Sequence, residues 1–131
     1  MDRNPLISLE LLEELIGPFL PVVYSNKLSL NSRGRYRTLV EVRIIYTSLA
    51  HNMGHPVQDI AKVLKKDRTV MLYYIKQFRN LMQTDPDFRD KFYEIKNRIQ
   101  TYYPYEPSIV DYTDQVQYQP EPGIFLGLLS V

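Results

Sequence analysis

Apolar residues return at steps of three and four along most of the chain up to Tyr103, and the breaks in that rhythm divide it into elements. Ser8 stands before "LELLEELI", where its hydroxyl suits an N-cap, and Gly17 with Pro18 stops the run, which predicts a short first helix. The next stretch, "PFLPVVYSNKLSLNSRGRYR", has turn formers and no helical period, so it reads as a connector. From Thr38, the apolar positions Leu39, Val42, Ile45, Tyr46, Leu49 and Met53 predict an amphipathic helix that ends near Gly54. A shorter helix fits "PVQDIAKVL", with Pro56 in its first turn and Val57, Ile60, Ala61 and Leu64 on one side. Asp67 then suits the N-cap of a helix with Met71, Ile75, Phe78 and Met82 as its inward stripe and Thr69, Tyr73, Lys76, Gln77 and Asn80 on the other side. Asp85 as cap and Pro86 at the first position open a last helix, lined by Phe88, Phe92, Ile95 and Ile99.

The expected class is therefore all-α: a small helical domain with a helix-turn-helix, plus an extended C-terminal tail. Residues 1–25 read as an acidic N-terminal helix and connector, 26–103 as the helical domain, and 104–131 as a Pro/Tyr-rich tail. Hydrophobic content of 44% and charged content of 24% are ordinary for a globular chain of 131 residues. No apolar run approaches the ~20 residues that span a bilayer, so no membrane partner is expected. The opening "MDRNPLISLELLEELIG" carries acids within its apolar run, unlike a secretory signal. The absence of cysteine excludes disulfides and thiolate zinc sites. His51 and His55 stand at metal-binding spacing, but without a local acidic ligand they read as ordinary surface histidines. No carboxylate pair flanks a nucleophile and no "GxxxxGK" loop occurs, so neither catalysis nor a cofactor is expected.

Charge changes the picture. The net +1 hides a basic middle: between Asn26 and Arg79 eleven cations face only Glu41, Asp59 and Asp67, a local charge of +8, while both ends are acidic. Within "LKKDRTVMLYYIKQF", Lys65, Lys66, Arg68 and Lys76 meet the single acid Asp67. A basic patch beside two helices joined by a tight turn is the footprint of a double-stranded DNA binder.

Residues from about Arg33 to Ile99 resemble the carboxy-terminal DNA-binding domain of the bacterial replication initiator DnaA, a Trp-repressor-like helix-turn-helix. The likeness rests on "RGRYR", Arg43, "VQDIAKVL" and "DRTVM". It implies that Arg33, Arg35 and Arg37 form a basic loop reaching the minor groove, and that Arg43 at the start of the long helix makes a backbone and base contact. It also implies that Asp67, Arg68, Thr69 and Val70 open the recognition helix. Against the family pattern, the turn is one residue shorter and carries lysines in place of glycines, Arg68 replaces histidine, and Val70 replaces threonine. Arg68 can pair bidentately with guanine, so an altered sequence preference is expected. Lys62, Lys65, Lys66 and Lys76 suit phosphates; Tyr73 fits either a DNA contact or a surface position. The family's ATPase domain has no room in 131 residues. The expectation is a non-catalytic module regulating replication or transcription in a bacterial cytoplasm, or carried in a virion if phage-encoded. The rival is a structural or protein-interaction module, such as a phage particle component, that docks through residues 104–131. That tail alternates tyrosines with prolines and ends in the apolar "GIFLGLLSV", a composition open to folding back, to joining a partner, or to staying extended, with docking favoured.

Overall fold

Ser8 does cap the first helix: its Oγ accepts the Leu11 N–H at 3.1 Å, and α1 runs Leu9–Ile16. The computed structural model describes residues 7–102, and the tail from 104 onward, with the docking expected of it, lies outside them. After α1 the chain makes a single 3₁₀ turn, Gly17–Phe19, and then a feature the connector reading did not contain. Two short strands, β1 (Val22–Val23) and β2 (Asn26–Lys27), pair antiparallel, Val22 opposite Lys27 and Val23 opposite Asn26. The tip residues Tyr24 and Ser25 both have left-handed φ, 52° and 67°, the geometry a two-residue hairpin of this twist demands. That turn usually advertises itself as Asn-Gly; Tyr-Ser carries no such signal.

The long helix α2 spans Arg37–Asn52, one residue ahead of the expected start. Residues 42–50 are buried without interruption, because α1, α3 and α4 all lie against it. A helix covered on every side is the axis of the core rather than an amphipathic flank. Helix α3 (Val57–Leu64) buries Ile60, Ala61 and Leu64; three residues later α4 (Arg68–Thr84) begins, followed by α5 (Pro86–Tyr102). The cap of α5 is the expected one, Asp85 Oδ1 accepting the N–H groups of Asp87 at 3.0 Å and Phe88 at 3.2 Å. Phe78 of α4 meets Phe88 and Phe92 of α5 edge-on, with ring centroids 5.8 and 5.1 Å apart. In α4 the buried stripe is Met71, Tyr74, Phe78 and Met82; Ile75, expected inside, is half-buried, since the stripe turns toward α2 through Tyr74 instead.

Residues 7–25 belong to the same core as 26–102. Leu12 and Ile16 are fully buried, and α1 lies against both α2 and α5. Three hydrogen bonds fasten it: the Tyr46 hydroxyl donates to the Leu9 carbonyl at 3.0 Å, Arg98 Nε to the Leu15 carbonyl at 2.8 Å, and His55 Nε2 lies 2.7 Å from the Ile7 carbonyl. The protein is a small all-α domain, and among the described residues no helix is long and apolar enough to cross a membrane.

Candidate nucleic-acid interface

The exposed side of α4 is the centre of the candidate site. Arg68, Thr69, Leu72, Tyr73, Lys76, Arg79 and Asn80 are all exposed, and at 100° per residue they fall within an arc of about 140°. The helix contains three cations and no acid in its 17 residues. Its length, about 25 Å at 1.5 Å per residue, matches a groove-reading helix. Arg79 and Leu72 were not anticipated here, although Arg79 follows Lys76 by the three-residue step that keeps neighbours on one helical face.

The turn that delivers α4 consists of Lys65, Lys66 and Asp67. Lys65 stands in the left-handed region, φ 56° and ψ 47°, and ends α3: its own N–H reaches the Lys62 carbonyl at 3.3 Å and the Lys66 N–H reaches Ala61 at 3.1 Å. This is the backbone path usually taken by glycine. Asp67 occupies the N-cap position of α4, as expected, but its carboxylate makes no capping hydrogen bond. Lys66 is held below the ordinary lysine pKa, first by burial and then by the charges of Arg43 and Arg35. The turn and the arginine loop are therefore neighbours, and repulsion among their cations is an arrangement that a bound polyanion relieves.

Within the loop, Arg33 and Arg35 are exposed on either side of Gly34. Gly34 has φ +115°, and a Cβ there would sit 2.9 Å from the Tyr36 ring, so the close approach of ring to backbone requires glycine. Arg37 is exposed too, but its guanidinium lies 3.3 Å from Glu41 and 3.4 Å from Asp85, which turns it toward the α4–α5 junction. Glu41 also receives Lys91 Nζ at 2.9 Å. Such pairs are weak at a surface and leave Arg37 free to exchange partners.

Of the expected contacts, Lys66 and Val70 are half-buried, Val70 against the core, and Arg43, only 2% exposed, does not face solvent. The guanidinium of Arg43 donates from Nε to the Leu30 carbonyl at 2.8 Å, from Nη1 to Gly34 at 3.2 Å, and from Nη2 to the Ser32 carbonyl. Arg43 is thus corrected from a DNA contact to an interior residue: its fork is already occupied by backbone. Tyr46, expected on the apolar side of its helix, is buried, and Tyr74 is a buried packing residue too. His51 is exposed while His55 engages Ile7, and no metal-holding cluster occurs among the described residues. Compared with known proteins, the chain matches no family model, no curated protein and no solved structure.

Proposed function

We propose that the protein binds double-stranded DNA without catalysis, as a module of the DnaA DNA-binding type acting in the control of replication or transcription. The exposed side of α4 enters the major groove, Lys65 and Lys66 meet the phosphates beside it, and Arg33 and Arg35 reach the neighbouring backbone and minor groove. The observation that carries this reading is an acid-free recognition helix whose exposed side holds Arg68, Lys76 and Arg79, flanked by a cationic turn and a cationic loop that adjoin each other. Thr69 and Asn80 on the same side supply neutral donors and acceptors for base edges.

The test is a titration of duplex DNA, selected from random sequences, at several salt concentrations. Affinity is expected to fall linearly on a log-log plot with a slope of about −0.9 for each phosphate neutralised, and ~4 to 7 phosphates are expected. Arg68→Ala should lose about 1 to 3 kcal/mol on the selected site and flatten the preference at one base pair. Lys65→Ala should weaken every duplex alike and lower the slope by about one. A response flat in salt would overturn the reading.

A further inference from the structure

The three carbonyls gathered by Arg43 belong to alternate residues, Leu30, Ser32 and Gly34, so the loop is bowed around one guanidinium. The Leu28 N–H still reaches the Pro21 carbonyl at 3.0 Å, but beyond it, apart from the turn in which the Ser32 N–H reaches the Ser29 carbonyl at 3.1 Å and Ser29 N–H reaches Ser32 Oγ at 2.7 Å, no backbone ladder holds residues 29–35. The Arg43 charge is also felt by Tyr74 of α4, where it opposes the rise that burial imposes on the tyrosine pKa. One side chain of α2 therefore binds the arginine loop while its charge reaches the recognition helix.

A buried cation is costly unless its donors are used, and among the described residues no carboxylate pairs with Arg43. An apolar residue would fill this position of α2 at less expense if packing were its only task. Only a planar fork with five donors can gather three diverging carbonyls, and a lysine ammonium cannot copy it. The charge also acts through space, since Arg43 precedes Arg35 among the cations that depress Lys66.

We infer that Arg43 is the positioning residue of the interface: without touching DNA, it holds the loop in the one shape that presents Arg33 and Arg35 beside the α3–α4 turn. The consequence for affinity rests on the DNA-binding reading, whereas the ordering of the loop does not. Both are tested in the full chain with Arg43→Lys and, as an independent perturbation of the loop, Gly34→Ala.

Without DNA, trypsin should cut after Arg33 and Arg35 at least about tenfold faster in each variant, with amide-exchange protection of α2, α4 and α5 retained, because cleavage follows the population of the opened segment. With DNA, each variant should lower the salt slope by about two while leaving the base preference set by Arg68 unchanged. Unchanged cleavage in Arg43→Lys would overturn the inference, as would global unfolding of that variant while Gly34→Ala behaved like the parent, since Arg43 would then support the core alone. A released loop with an unaltered salt slope would remove Arg33 and Arg35 from the DNA site. Absence of any salt-dependent binding in the parent protein would defeat the DNA reading itself, and the trypsin comparison would still decide the ordering role.

Discussion

Tyr46 shows how a single polar atom is accommodated at the centre of α2. Its ring is fully buried and its hydroxyl donates to the Leu9 carbonyl at 3.0 Å. Burial first, then the nearby negative charges of Glu13 and Glu10, push its ionisation well above the ordinary tyrosine range. Between the unfolded and the folded pKa the native state keeps a proton that the unfolded chain has released, so this contribution to stability is complete below about pH 10 and declines as pH rises further. Tyr46→Phe is expected to flatten the alkaline limb of a stability-versus-pH curve measured by urea unfolding from pH 8 to 11. At neutral pH it should lose about 1 kcal/mol with the hydrogen bond. Tyr74, also raised by burial, keeps part of the limb in place. An unchanged limb in Tyr46→Phe would assign the alkaline response elsewhere. Tyr46 was legible from its place in the apolar rhythm; Arg43 was not. Arginine is almost never fully buried, so its residue type argues for the surface. Nothing in the spacing of residues reveals that Leu30, Ser32 and Gly34 converge on it from nine to thirteen positions upstream.

Helices whose ends are written in side chains were the easiest to read. Ser8 before α1 and Asp85 with Pro86 before α5 are local signals, and both caps form. The α3–α4 turn was legible as a turn, but its backbone was not, because the residue in the left-handed position is Lys65 rather than glycine. A side chain there brings Cβ close to the following carbonyl, a strain of roughly 1 to 2 kcal/mol. Lys65→Gly is accordingly expected to raise stability by about 1 kcal/mol, once the greater freedom of glycine in the unfolded chain is set against the relieved strain. It should also weaken binding to every duplex, through the lost phosphate contact. Stability from thermal melts and affinity from titration would then move in opposite directions. If both fell together, Lys65 would be contributing packing that its exposed position does not suggest. The hairpin at Tyr24 and Ser25 escaped for the same reason: left-handed positions filled by ordinary residues leave no compositional mark.

At the scale of the whole molecule, the acidic first helix and the basic middle of the chain do not correspond to separate bodies. The acids Glu10 and Glu14 are exposed on α1, which made residues 1–25 read as an appendage, while Leu9, Leu12, Leu15 and Ile16 on its other side are buried. Periodicity over eight residues shows that a face is apolar but not which helices receive it, and here the receivers are α2 and α5, the latter some eighty residues downstream. This has a measurable consequence. Fully burying one such aliphatic side chain stabilises by about 1.5 to 3 kcal/mol, so four of them rival the 5 to 15 kcal/mol that holds a typical domain folded. A chain beginning at residue 26 would also leave the Tyr46 hydroxyl and the Arg98 guanidinium without their α1 carbonyls. Such a chain is expected to lose its cooperative thermal transition, as followed by circular dichroism. It should lose salt-dependent DNA binding as well, even though every cation of the candidate interface remains in it. A sharp melt within a few degrees of the full chain would instead show that α2–α5 fold alone. Loss of the melt would mean that the acidic first helix, which repels phosphate, is required because it covers apolar surface of α2 and α5.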